Sequence, residues 1–335
     1  MLYLALFVLT FGCYYAFKGK ISALSFEPLS FKNKGSQNLT YALLFAASLV
    51  SIICTLMILA SILFEAMKFF STQSFTNFFL SFHWAPHDAF LGKDGSFGSL
   101  GLFFGTFYIS LIAVLTAFPL GIFTAIYLSQ YCSKQKRAYL KPFLEILAGV
   151  PSVVYGFFAA IFVAPIVVSM AEFFGLDASH NNALSAGLVM SVMITPMIAS
   201  LCDDTLCQVP KKLHYGALSL GLSKEESIIF AVLPPAMPGI IAACLLGLSR
   251  ALGETMIVVM AASLRVNFSL NPLEDMTTVT VKIVEVLSGD QEFDNPLTLS
   301  AFALGITLFA ITFVINFIAV LISRAYQRKY KIANL

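Results

Sequence analysis

The chain has 335 residues, 59% of them hydrophobic and only 11% charged, less than half the roughly 25% charge of a soluble protein. The composition excludes an ordinary water-soluble enzyme, and a net charge of +2 gives no sign of a nucleic-acid partner. Apolar runs long enough to cross a hydrocarbon core, at about 20 residues per helix, take up most of the sequence.

These runs fall at 2 to 17, 41 to 64, 99 to 131, 143 to 170, 183 to 202, 236 to 263 and 297 to 323. They predict seven crossings and an all-α, polytopic helical bundle. The first run lacks a positive n-region and a small-residue cleavage site, and Lys18 and Lys20 follow it, so it reads as an uncleaved helix rather than a signal peptide. Short cytoplasmic loops are enriched in Lys and Arg. On one side lie Lys18, Lys20, Lys32 and Lys34, then Lys134, Lys136, Arg137 and Lys141, then Lys211, Lys212 and Lys224, then Arg324, Arg328, Lys329 and Lys331. The other side holds Lys68, Lys93, Arg265 and Lys282. This bias predicts an N-terminus outside and a C-terminus in the cytoplasm. Acidic residues from Glu274 to Asp294 gather in the last outer loop.

Two connections are long. The outer one, Glu65 to Gly98, is aromatic and carries Trp84, suited to the membrane interface. Within it, His83 and His87 are four apart with Asp88 adjacent, but no third ligand is specified and no metal site is assigned. The inner one, Asp203 to Pro235, is patterned as two short helices. Gly221 suits the end of the first. Ser223 with Glu226 forms a capping box for the second, which Pro234 and Pro235 are expected to stop. His180 and His214 carry no evident role.

Cys13, Cys54 and Cys244 lie in apolar runs and Cys132, Cys202 and Cys207 at or inside the inner edge, a reduced pattern with no CxxC pair.

The mid-membrane charges are Arg250 and Glu254, in SRALGETMIV. On one helix, i,i+4 spacing puts them on one face within reach of each other. Because charge at bilayer depth is costly, such residues face a bundle interior or an aqueous passage. Arg offers a planar fork of donors for an oxyanion, Glu can hold or compete for that fork, and Thr255 adds a hydroxyl. The alternative is a buried pair that only fixes helix packing. A second unusual stretch is AGVPSVVYGFF, where Pro151 breaks the helix and Ser152 supplies a polar group; broken helices at membrane depth line cavities or lie buried in protein.

No phosphate-cradling loop is present: neither Gly19-Lys20 nor Gly92-Lys93 has the required preceding glycine. Nor does a GxSxG or HExxH pattern occur, so no catalytic residues are assigned, and ATP hydrolysis cannot come from this chain.

The inner loop resembles the coupling loop of ABC importer permeases: Glu-Ala-Ala, three residues, Gly, nine residues, Ile, one residue, Leu-Pro. Here Tyr215, Gly216 and Ala217 occupy the triplet, Gly221 is in register, Ala231 replaces the Ile, and Leu233 and Pro234 complete it. The leading Glu is absent. GLSRALGETMIV (Gly247 to Val258), LAGVPSVVYGFF (Leu147 to Phe158) and GTFYIS from Gly105 are similar to stretches of the PstC-type phosphate permease family.

That resemblance implies a type I ABC importer permease fold, with a six-helix core over 41–325, an extra N-terminal helix and linker over 1–40, and a basic tail over 326–335. It implies a bacterial inner-membrane location, a related PstA-type permease, a PstB-type ATPase dimer holding ATP and Mg, and a periplasmic PstS-type phosphate-binding protein. No cofactor on this chain is expected. Arg250, Glu254, Thr255, Pro151 and Ser152 would line the substrate pathway. Tyr215, Gly216, Ala217, Gly221, Leu233 and Pro234 would couple to the ATPase. The rival readings are a permease for sulfate, molybdate or phosphonate, and a membrane scaffold or channel without ATPase partners.

Overall fold

The computed structural model describes residues 34–86, 96–289 and 295–329. The expected first helix, the His87 and Asp88 positions, the acids at 290 to 294 and the end of the basic tail lie outside the described residues. Two units divide the chain, Met1–Ala60 and Ser61–Leu335. Among the described residues six helical stretches are long and apolar enough to cross a membrane.

Helix α1, Lys34–Thr72, is a 39-residue helix. Its portion from Tyr41 to Ala60 is apolar and almost wholly exposed, which suits contact with lipid. In the second unit α1 runs on through Thr72, so residues 65–72 are helix and not part of the expected outer loop. They lead to α2, Phe75–Leu80, and a two-residue ladder, β1 (Trp84–Ala85) against antiparallel β2 (Ser96–Phe97), with Trp84 opposite Phe97 and Ala85 opposite Ser96.

The aromatic side chains here do not simply lie at the interface. Phe69, Phe78 and Phe97 are buried with Leu102 and Leu304. Phe69 meets Phe78 and Phe97 edge-to-face at 5.5 and 5.4 Å between ring centres, the geometry that aromatic quadrupoles favour. Phe75 and Phe82 stay exposed.

Helix α3, Leu100–Ile126, ends in a π-helical turn, Tyr127–Tyr131. Helix α4, Lys134–Ala148, follows. The expected crossing from 143 is broken: α4 stops at Gly149, and the crossing itself is α5 (Ser152–Phe158), a π-turn (Ala159–Val163) and α6 (Ala164–Phe173). Helix α7, Ala183–Gln208, is the central one. Its Met190, Met193, Ile194 and Ile198 are buried against Ile109, Ala113 and Ala117 of α3 and a later helix. Small residues face it: a Cβ at Gly121 would lie 2.7 Å from Ile198, and one at Gly247 would lie 2.8 Å from the same side chain. Close backbone approach of this kind replaces the hydrophobic drive that lipid removes.

Helix α8, Lys211–Ser219, and α9, Lys224–Ser227, form the loop expected on the inner side. Pro234 and Pro235 do not stop the second helix as expected. A π-turn, Ile228–Val232, carries α9 directly into α10, Leu233–Leu252, and the Leu233 N–H donates to the Ile228 carbonyl, five residues back. The wider turn accommodates residues without an N–H. The same device precedes Pro165, where the Ala164 N–H donates to the Ala159 carbonyl. Helices α11 (Met256–Ala261), α12 (Val279–Leu287) and α13 (Pro296–Lys329) complete the chain.

The all-α expectation holds, with one minimal ladder. Helical backbone pairs within its own segment, the condition lipid imposes.

Candidate functional site: a broken helix and a helical loop

The run from 236 to 263 is not one helix. Helix α10 ends at Leu252, Gly253 caps it, and α11 restarts at Met256 with Thr255 as its N-cap residue. The sequence expectation that Arg250 and Glu254 share a helix face is therefore overturned. Among the described residues neither forms an ion pair with the other within 4.0 Å. Arg250 sits in the last turn of α10, exposed on this chain. Glu254 turns the other way: its Oε1 accepts from the backbone N–H of Met256 at 3.1 Å and of Ile257 at 3.5 Å. A carboxylate at a helix N-terminus satisfies orphan donors and complements the dipole, so Glu254 builds the start of α11.

The break is anchored from outside. The Thr280 hydroxyl donates to the Glu254 carbonyl at 2.8 Å, and the Thr278 and Thr280 hydroxyls are 2.9 Å apart. Thr106 accepts from the Val279 N–H at 3.0 Å, tying α3 to the start of α12. A Cβ at Gly105 would collide with the Thr277 carbonyl, so glycine is what lets this strap lie against α3. The Thr277 hydroxyl is buried without a partner among the described residues.

The second motif meets the first here. Pro151 is the N-cap residue of α5 and Ser152 its first residue. The Tyr155 hydroxyl donates back across the break to the Leu147 carbonyl at 3.0 Å. A Cβ at Gly156 would lie 2.9 Å from the Met256 carbonyl and 3.2 Å from Ile257 Cα. Two breaks, at Gly149–Pro151 and Gly253–Thr255, thus lie on packed segments.

Sequence reading missed Asn316. On α13, its Oδ1 accepts from the Ser249 hydroxyl at 2.6 Å, next to Arg250. A single asparagine within an apolar run was the available signal.

The loop from Lys211 to Pro234 has the expected helix-turn-helix form. Gly221 has φ +88°. Its N–H donates to the Leu218 carbonyl, and that of Leu222 to Ala217, the double closure of a Schellman motif. Ser223 and Glu226 form both bonds of the capping box. Tyr215 is exposed, Gly216 has open space around its Cα, and Ala217 is buried. Leu233 and Pro234 lie where the π-turn becomes α10. His214, without an evident role in the sequence, fastens the loop: its Nδ1 lies 2.8 Å from the buried Ser227 hydroxyl, which also donates to the His214 carbonyl at 3.2 Å.

A further cluster escaped sequence reading because its members are distant in the chain. Asp203 on α7 is fully buried and paired to Arg137 on α4 at 2.6 Å and to Lys141 at 3.5 Å; Lys141 also pairs with Asp204. The bond from Lys141 to Asp204, followed by the two aspartate charges, raises the lysine above its ordinary value despite partial burial.

Residues 117–329 match the family described as "Binding-protein-dependent transport system inner membrane component". The chain belongs to that family. It is a multi-pass permease of an ABC importer in the inner membrane. It is 31% identical over 302 residues to the phosphate transport system permease protein PstC of Mesorhizobium japonicum, covering 84% of this chain and 89% of that one. It is 32% identical over 265 residues to PstC of Mycobacterium leprae, covering 74% and 81%. It is also 30% identical over 255 residues to the probable ABC transporter permease protein YqgH of Bacillus subtilis, covering 76% and 78%. Among solved structures, the permease fold matches a bacterial ABC transporter importing the polysaccharide alginate, with TM-score 0.58 and 18% identity over 88% of this chain and 99% of that one. An inward-facing MetNI methionine transporter matches with TM-score 0.51 and 14% identity, over 66% and 93%.

Proposed function

We propose that this permease moves inorganic phosphate into the cytoplasm by alternating access, with its N-terminus outside and its C-terminus inside. The observation that carries the reading is a guanidinium, Arg250, exposed on a membrane-depth helix without a carboxylate partner among the described residues. It occurs in a chain about 30% identical to PstC permeases over most of its length. A charge so placed belongs beside a partner helix or an aqueous route, and its donor fork suits a tetrahedral oxyanion. Glu254 acts on the anion indirectly, by building the start of α11; Thr255, Pro151 and Ser152 lie at the two helix breaks beside the route.

The partners are a second, related permease, an ATPase dimer that holds ATP and Mg, and a periplasmic phosphate-binding protein. The ATPase grips the loop from Lys211 to Pro234 through Tyr215 and Gly216, with Ala217 packed beneath them. Closure of the ATPase dimer pushes that lever, and because α9 runs unbroken into α10, the push travels toward the Arg250 end. Leu233 and Pro234 sit where the lever becomes the span.

The test is the complex reconstituted in liposomes, read by phosphate-stimulated ATP hydrolysis and radiolabelled phosphate uptake. Arg250→Gln is expected to abolish uptake while the complex still assembles. Unchanged uptake overturns the role of Arg250; stimulation by sulfate, molybdate or phosphonate instead of phosphate overturns the cargo.

A further inference from the structure

A second basic site lies away from the helix breaks, at the end of the bundle that carries the helical loop. Between the end of α3, the start of α4, the end of α7 and the loop helices α8 and α9 is a cavity of about 570 Å³. Its lining includes Lys134, Arg137, Lys211, His214 and Lys224 and no carboxylate. Arg137 is committed to Asp203. Lys134, Lys211 and Lys224 have no carboxylate within 4.0 Å among the described residues; Lys224 lies 4.0 Å over the Tyr131 ring. The nearby acid Glu225 accepts from the Tyr131 hydroxyl at 3.2 Å.

Three uncompensated ammonium groups around one concavity repel one another, and that cost is relieved by an anion. The backbone adds to the pull. Helix α8 begins at this cavity, with Pro210 and Lys211 in its lining and Pro210 as an N-cap residue that supplies no side-chain acceptor. Its first N–H groups and dipole therefore favour negative charge at the same place. Lys134 in the first turn of α4 faces the same space.

We propose that this cavity binds a phosphoryl oxyanion, bridging α4 to the loop helices. Both inorganic phosphate and the headgroup phosphate of an anionic phospholipid present that chemistry, and basic pockets between spanning helices are suited to lipid headgroups. The assignment is independent of what the permease transports, because none of these residues lies near Arg250 in the sequence or at the helix breaks. Since Lys211, His214 and Lys224 belong to the helical loop, an occupied cavity would hold that lever against α4.

The test uses the full chain purified in detergent, with inorganic phosphate as probe by equilibrium dialysis, and in nanodiscs of phosphatidylglycerol or of phosphatidylcholine alone, with retained lipid counted by native mass spectrometry. The K134Q/K211Q/K224Q variant is expected to weaken phosphate binding, phosphatidylglycerol retention, or both, roughly tenfold or more. K134R/K211R/K224R should retain binding, and Lys136→Gln with Lys212→Gln, which remove nearby charges outside the lining, should leave it in place. Phosphate binding alone identifies the free anion as ligand; phosphatidylglycerol retention alone identifies the lipid. If the original chain binds neither, or if the triple Gln change leaves either ligand bound equally well in an Arg250→Gln background, where the anion contact of the transport route is absent, the proposal is overturned. Should the triple variant misfold, single Lys211→Gln and Lys134→Gln changes with unchanged helicity apply the same criterion.

Discussion

Gly156 on α5 faces the Met256 carbonyl at the start of α11, so closely that a Cβ there would lie 2.9 Å from the oxygen. Two sequence motifs a hundred residues apart therefore share one packed seam, and Arg250 and Glu254 sit at its edge.

Gly156→Val should force that seam apart at a cost of about 1–3 kcal/mol, the usual range for overpacking. The thermal midpoint of the purified chain is expected to fall. Accessibility of a cysteine placed at Thr255 should rise. A midpoint equal to that of the original chain would mean the seam is looser than described.

Gly221→Val should be costly for a different reason. At φ +88° a β-branched residue incurs roughly 1–2 kcal/mol of backbone strain, although space around the Cα is open. The turn between α8 and α9 is expected to reshape, leaving ATP hydrolysis by the assembled complex poorly linked to uptake. Tight coupling retained in the valine variant would remove the requirement for this turn.

The Asp203 cluster predicts non-additivity. Removing Arg137 alone leaves the buried carboxylate its contact with Lys141, and removing Lys141 leaves Arg137. Removing both strands a fully buried charge, which costs on the order of 3 kcal/mol or more. R137Q/K141Q is thus expected to lower detergent stability by more than the two single changes together. Simple additivity would show that water already reaches Asp203.

Glu274 predicts an acid-sensitive segment between α11 and α12. Hydrogen bonds from Asn267, then Ser269, hold its carboxyl below the ordinary value of 4.5. Asn267 donates to it at 2.9 Å, and the neighbouring backbone docks on α7, with the Ala183 N–H donating to the Glu274 carbonyl at 3.1 Å. A depressed folded-state value means the stabilisation is present above the ordinary carboxylate range and is lost as pH falls through the depressed value. The protection of amides in residues 263–279, measured relative to their intrinsic exchange rate at each pH, should therefore fall below that range in the original chain. Glu274→Gln should show the lower protection already at neutral pH, with little further change in protection as pH falls.

The membrane class, the positions of most crossings and the Gly221 turn with its capping box were all legible in the sequence. Each is local: a long apolar run must be helical because lipid offers its backbone no other partner, and φ above zero beside a Ser-x-x-Glu pattern defines a turn within seven residues. What the sequence by itself did not determine was where helices break and which charges meet. Arg250 and Glu254 read as a pair at i,i+4, yet the Thr280 hydroxyl, packing from a later segment, stabilises a break between them. The paired prolines read as a stop, yet a π-turn carries the helix through them. Asp203 read as the start of a loop, yet α4 folds back to bury its charge between two cations. These outcomes depend on groups separated by tens of residues, whose contacts exist only once the bundle is packed, and so tertiary structure decided them.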